Sequence, residues 1–343
     1  MVYNQSSQSY AGNLVNNMNR IPRILLFTLS LIAITSIFVQ AESDLDILKK
    51  LMPGPLVKAE VKSNIDPASQ GKPPFASDNW IFNCSGVERE IHYNRFLNQK
   101  PEFDGTYPSL TPSDMGVGFG GGPFSYWYYN GAIRVLIDGV DVMAAKRADV
   151  VEYRSGSRGD LRLVWNLGDG GRLALYFVVP SDGRAIYTAI EPYLPNKPKA
   201  KIQVTLVCYP AGFGPTYGAP SIRSVTTQHS RVIVPRGFKG SDKNPFPTLT
   251  ISPKDDYIFY ADDYDGTGSL FLALPPSDWS GGKVSASNYG QATTLEMRSD
   301  TKMARLGFYA SGIQNASAEA YFLQILPQEL KILSNIKFWS LGQ

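Results

Sequence analysis

The chain has 343 residues, 43% of them hydrophobic and 12% aromatic. That is enough apolar material for a sizeable core, and it excludes a disordered chain. Lysine and arginine number 33 against 30 acidic residues, and two of those bases, Arg20 and Arg23, precede the first acid, Glu42. The rest is close to neutral with no basic block, which argues against nucleic acid as a partner.

Arg20-Ile-Pro-Arg23 leads into an apolar run over 24–39, broken by Thr28, Ser30, Thr35 and Ser36. Val39-Gln40-Ala41 supplies small residues before acidic Glu42. Charged, apolar and cleavable segments in that order predict a signal peptide over 1–41. An uncleaved membrane anchor is the alternative, at the lower limit of length, since a bilayer core takes roughly 20 apolar residues. No cysteine lies near 41 to carry a lipid. The chain is therefore expected to be exported, to a periplasm, a cell surface or the medium, with membrane contact only through an uncleaved signal segment.

Residues 43–52 read as a short helix, with Ser43 as cap, Asp44 and Asp46 in the first turn and Lys49-Lys50 in the last. Pro53-Gly54-Pro55 ends it. Residues 53–79, rich in Pro, Ser, Asn and Lys, are expected to form an arm, so that 42–79 is helix plus arm. From Trp80 the pattern changes to period two. Trp80, Phe82 and Cys84 share one face, and Ile81, Asn83 and Ser85 the other. A long loop is expected over 94–114, with Pro101, Pro108 and Pro112.

Gly116-Val-Gly118-Phe-Gly-Gly121 satisfies G-x-G-x-x-G. A dinucleotide site needs a helix after it, and here Pro123 and aromatic residues follow, so a flexible loop or close backbone packing is expected. Residues 124–129 and 132–137 read as a hairpin through Asn130-Gly131, a strong short-range turn signal. On such a strand Phe124, Tyr126 and Tyr128 face one side and Trp127 and Tyr129 the other. One set belongs in a core. The other is either a second core or an exposed platform on which the apolar faces of sugar rings stack.

Further strands are expected at 148–154, 161–167, 172–179, 185–191, 201–209, 222–234, 248–252, 257–261, 269–274, 292–299, 303–309 and 318–326, joined by Gly-rich turns. Pro327 is expected to open a last short helix. About fifteen strands predict an all-β fold, a large antiparallel two-sheet β-sandwich with short terminal helices. No internal boundary is visible, so residues 80–343 are read as one domain ending in that helix.

Chemistry-bearing residues are sparse. His92 and His229 are the two histidines, and neither belongs to a zinc pattern. The stretch Glu90-Ile-His92-Tyr93-Asn-Arg95 is the best catalytic candidate. His92 or Tyr93 would act as base, and Arg95 would neutralise a uronate, as a β-eliminating lyase requires. Lone strand histidines are more often structural. Cys84 and Cys208 both lie on apolar phases, as a disulfide or as two buried free thiols. Asp262-Asp-Tyr-Asp-Gly266 resembles part of a calcium loop but lacks the flanking acids, Ala261 and Leu272 standing there instead. No other cofactor is indicated.

The strand count, the meander, and stretches such as Leu161-Arg-Leu-Val-Trp-Asn-Leu167 and Leu173-Ala-Leu-Tyr-Phe-Val-Val179 make 80–326 resemble a galactose-mutarotase-type β-supersandwich. Members of that family bind or act on carbohydrate, and the mutarotases use a histidine acid and a glutamate base. The resemblance makes His229 the candidate acid and Glu191 a weaker candidate base. Three functions are thus expected in descending order: an exported protein that binds a polysaccharide or other glycan, a structural or adhesive surface protein, and a carbohydrate-active lyase or epimerase.

Overall fold

A computed structural model describes residues 57–66, 74–97, 115–128, 132–143, 147–208, 222–238, 240–262, 268–286, 290–311 and 315–339. The expected signal peptide, the helix at 43–52 and most of the 262–266 turn lie outside the described residues. So do 98–114, most of the expected long loop.

Nineteen strands and two helices are described. In chain order they are β1 (Lys58–Asp66), β2 (Phe75–Cys84), β3 (Val87–Phe96), β4 (Gly116–Gly120), α1 (Phe124–Trp127), β5 (Ile133–Ile137), β6 (Val140–Asp141), β7 (Val150–Arg154), β8 (Arg158–Gly168), β9 (Gly171–Pro180) and β10 (Ile186–Tyr193). There follow β11 (Ile202–Cys208), β12 (Arg223–Thr227), β13 (Arg231–Val234), β14 (Thr248–Ile251), β15 (Tyr257–Asp262), β16 (Ser269–Ala273), β17 (Trp279–Ala286), β18 (Gln291–Met297), β19 (Ala304–Ser311) and α2 (Asn315–Asn335).

The strands form two antiparallel sheets. One has ten strands, in the order β1-β2-β3-β4-β5-β11-β18-β17-β14 with β6 paired to β5. The other has nine, in the order β13-β12-β15-β16-β19-β10-β9-β8-β7. Alternation decides what each face meets. On β2 the residues Trp80 and Phe82, and on β3 the residues Ile91 and Tyr93, point inward to a core that includes Trp165, Phe177, Leu272 and Phe308 of the other sheet. Burial of such side chains is worth about 1.5–3 kcal/mol each and holds the sandwich together.

The nine-stranded sheet is covered on its outer side as well. Tyr176, Tyr187, Phe259, Phe271 and Tyr309 pack there against Ala318, Phe322, Leu326 and Leu333 of α2. This corrects the expected strand at 318–326. The buried positions recur at helical spacing, while apolar Tyr321 and Leu323 are exposed and imitate alternation. Pro327 lies inside α2 and does not open it.

Three further strands escaped the sequence reading, among them β4 at Gly116–Gly120, where a flexible loop or close backbone packing is expected. Within the expected arm, β1 pairs with β2 from Lys58↔Asn83 to Asp66↔Phe75. It is an edge strand, with a largely exposed surface, and so carries little apolar periodicity. β17 holds the stretch Ser280-Gly-Gly282, which interrupts any apolar alternation. A register shift there bulges the strand beside β18. Among the described residues no helix is long and apolar enough to cross a membrane.

Candidate functional site

The aromatic run does not form the expected hairpin. Phe124 to Trp127 is one helical turn, and β4 meets β5 through the pair Val117↔Ile133. Glycines at 121 and 122 with positive φ turn the chain out of β4 before α1 begins. Phe124 and Tyr128 are buried in the core, both edge-on to Phe119. They belong to no exposed platform. The side chains of Tyr126 and Trp127, and all of Tyr129, lie outside the described residues.

The His92–Tyr93–Arg95 group is split by the pleat. Tyr93 faces the core, where its hydroxyl donates to the carbonyl of Met143 at 2.5 Å and accepts from Trp165 Nε1 at 3.4 Å. Burial raises its pKa far above the ordinary tyrosine value, which unfits it as a base. Arg95 shares that inner side, 3.6 Å from the buried carboxylate of Asp78. His92 points to the opposite, outer face, so the three residues do not form one site.

What gathers around His92 is a different set. Glu90, His92 and Asn94 alternate along β3 and share the outer face. Their partners on β2 are Ile81, Asn79 and Ser77, and on β4 they are Gly120, Gly118 and Gly116. The row through Asn94 continues over Gly116 toward Arg134 of β5, then Thr205, Thr294, Lys283 and Thr250. The outer face of the ten-stranded sheet is thus largely polar, with a strand of glycines in its middle.

The glycines let charged groups lie flat across β4. A Cβ on Gly120 would meet Glu90 Oε2 at 2.6 Å, and one on Gly116 would meet Arg134 Cγ at 2.9 Å. Glu90 reaches over from one side and Arg134 from the other. Burial, and then repulsion from Glu88, raise the pKa of Glu90, while Lys62 opposes them. His92 Nδ1 lies 3.8 Å from Glu90 Oε1. Asn94 is 8% exposed and its Oδ1 has no hydrogen-bond partner among the described residues. Spacing two residues apart on both β3 and β4 was the signal in sequence. Glu90 belongs to the same stretch, where the sequence reading gives it no role.

His229 sits in the turn between β12 and β13, not in a strand. Its Nδ1 is 2.6 Å from Asp255 Oδ1, and Asp255 Oδ2 accepts the backbone N–H of Ser252 at 2.6 Å. Glu191 instead accepts the Tyr176 hydroxyl at 2.6 Å. Three strands separate β12 from β10, a lateral distance of about 19 Å, so His229 and Glu191 are no acid–base pair. No Cys84–Cys208 bridge forms either. Neither cysteine is in a disulfide, and both thiols are buried. β2 and β11 are also three strands apart, about 19 Å across the sheet, where a disulfide needs Cα atoms within about 7 Å. Among the described residues no group of three His, Cys, Asp or Glu side chains is arranged to hold a metal ion.

No protein-family model matches the chain, and no curated protein matches it. Among solved structures, the α-N-acetylgalactosaminidase NagBb of Bifidobacterium bifidum is similar at TM-score 0.45 and 11% identity, over 73% of this chain and 38% of that one. An α-galactosidase from Lactobacillus brevis gives TM-score 0.37 at 9% identity, over 68% and 39%. A TPR-domain containing protein from Parabacteroides distasonis gives 0.40 at 9%, over 74% and 55%. The chain thus spans well under two thirds of each. These are likenesses in outline, and the activities of those enzymes do not transfer to this chain.

Proposed function

We propose that the protein is an exported carbohydrate-binding β-sandwich that takes a glycan on the outer face of its ten-stranded sheet, over β4. The observation that carries this is the buried Asn94 Oδ1, without a partner among the described residues, beside His92 and Glu90 on a polar face. A buried acceptor left unmade costs about 1–3 kcal/mol, and a ligand hydroxyl would recover it. Asn79, Glu90 and Arg134 would supply the other polar contacts that a hydroxyl-dense ligand needs. The reading agrees with the galactose-mutarotase-type resemblance of the sequence. Export rests on residues 20–42 alone and is tested by sequencing the N-terminus of the secreted protein.

Screening the purified protein against a polysaccharide panel, with reducing-end and unsaturated-product readouts in the same wells, tests the reading. Binding without product is expected, weakened about tenfold by Asn94→Ala or Glu90→Gln at unchanged melting temperature. Full binding by both variants removes the site, and silence across the panel removes the carbohydrate reading.

One observation favours a second reading. A half-buried carboxylate of raised pKa stands 3.8 Å from an imidazole, the equipment of a proton-transfer pair. A sugar epimerase built on Glu90 and His92 would show turnover that disappears in His92→Ala.

A further inference from the structure

One end of the sandwich carries a cavity of about 250 Å³, where turns from both sheets meet. The β5–β6 turn, the β8–β9 turn and the segment after β10 enclose it. Ile137, Val142, Leu167 and Leu194 give it an aliphatic floor. Asp138, Asp169, Asn196 and Lys197 form a polar rim, and Val140, 65% exposed, stands at the mouth. It shares no residue with the sheet-face site.

The rim is braced. Asp138 donates its N–H to the carbonyl of Lys201, and its Oδ1 accepts the N–H of Lys201, both at 2.9 Å. Asn196 Nδ2 donates to the carbonyl of Asp169 at 2.9 Å. Asp138 and Asp169 have φ of 51° and 48°, the two positive values at non-glycine positions among the described residues. Gly139 and Gly170 follow them at 81° and 74°. Left-handed conformation at both central positions is that of the tight primed turn, which twists with its strands and holds its shape. Both aspartates are therefore fixed at the cavity's edge before any ligand arrives.

We propose that this cavity is a second ligand site, for one neutral or amine-bearing pyranose ring. Its volume lies just below the usual range of about 300–1,000 Å³ for small-molecule pockets, so it admits a single ring and no chain. The aliphatic floor suits the C–H face of such a ring. The rim suits its hydroxyls, with carboxylates to accept and the amide and ammonium to donate. Two carboxylates against one ammonium discriminate against a uronate, because a third carboxylate would meet net repulsion.

The test titrates the full-length protein with methyl glucoside, glucosamine and glucuronate, followed by ligand-observed NMR. Methyl glucoside and glucosamine are expected to bind, with glucuronate weaker by about fivefold or more. Val140→Trp closes the mouth from an exposed position and should weaken binding about tenfold. Asp169→Asn keeps a residue that tolerates positive φ and should weaken glucosamine more than methyl glucoside. Asn94→Ala reports on the sheet-face site, so probe binding that it abolishes belongs there and not to the cavity. The proposal is overturned if no probe binds, if glucuronate binds tightest, if Val140→Trp and Asp169→Asn both bind like the parent, or if Asn94→Ala abolishes binding. Should Val140→Trp fail to fold, Asp169→Asn and Lys197→Ala decide the matter.

Discussion

Nδ1 of His229 lies 2.6 Å from Oδ1 of Asp255. The aspartate side chain is fully buried and the histidine ring is about half exposed. The pair ties the β12–β13 turn to the turn before β15, where the same carboxylate accepts the N–H of Ser252. Asp255→Ala should cost about 1–3 kcal/mol, because it strands that buried N–H. His229→Ala should cost less than about 1 kcal/mol, since its partner keeps the Ser252 bond and water reaches the site. Urea unfolding of both variants checks the order, and equal costs would contradict this account.

Helix α2 is anchored by a polar contact inside an apolar layer. Glu329, 1% exposed, accepts hydroxyl hydrogens from Tyr187 at 2.7 Å and Tyr309 at 2.5 Å, with Arg184 Nη2 3.5 Å away. Glu329→Ala should destabilise by about 3–5 kcal/mol, as expected when one partner of a buried charged network is removed. Tyr187→Phe and Tyr309→Phe should each cost about 1 kcal/mol. Amide exchange should show α2 loosening first in the glutamate variant. A loss under 1 kcal/mol for Glu329→Ala would mean that the apolar contacts alone hold the helix.

Phe124 tests the corrected reading of the aromatic run. It is fully buried, edge-on to Phe119 and 5.0 Å under the Arg89 guanidinium. Phe124→Ala should cost about 3–5 kcal/mol through the cavity it leaves. Glycan binding measured well below the melting temperature should stay within about twofold of the parent. Specific loss of binding at full stability would restore the platform.

Alkaline pH should unfold the protein cooperatively. Burial pushes the Cys84 thiol up from 9.0 to about 11, with Arg89 opposing and Asp182 adding to the rise. Burial likewise raises the hydroxyls of Tyr93, Tyr128, Tyr187, Tyr260 and Tyr309. Each folded-state pKa exceeds its unfolded value, so the fold favours the protonated form. That stability is complete below pH 9 and is lost as pH rises. Cys84 alone withdraws up to about 2–3 kcal/mol between pH 9 and 11, and the tyrosines add to the loss above about pH 10. Urea midpoints at pH 8, 9, 10 and 11 should fall monotonically, and a thiol reagent at pH 8 should find neither cysteine before unfolding. A flat midpoint series would refute the assignment.

Strands bordered by Gly-rich turns and carrying apolar runs were legible. The expectation of 172–179 meets β9 at Gly171–Pro180, and 185–191 meets β10 at Ile186–Tyr193. Legibility failed where a residue's neighbour lies far along the chain. Residues 318–326 alternate well enough for a strand, yet the uncovered apolar face of the nine-stranded sheet recruits them as a helix. Phe124 and Tyr128 look like a platform until Phe119, Phe177 and Phe308 are seen around them. His92 could be singled out from its rarity. Alternation also puts Glu90 and Asn94 on its face, but that three glycines lie beside them could not be read, because nothing local says that β4 runs beside β3.

By itself the sequence determined the class: period-two alternation commits residues to opposite faces, and glycine turns at short intervals commit consecutive strands to antiparallel pairing. Tertiary structure decided which of those faces meets a partner and which stays polar, and which strands lie side by side. It thereby kept Cys84 from Cys208 and Glu191 from His229, and set the glycines of β4 beside Glu90 and His92. The physical reason is that alternation is a local steric property of the backbone. Burial and proximity depend instead on how some nineteen strands share two sheets, and that arrangement is settled by the summed burial of residues far apart in the chain.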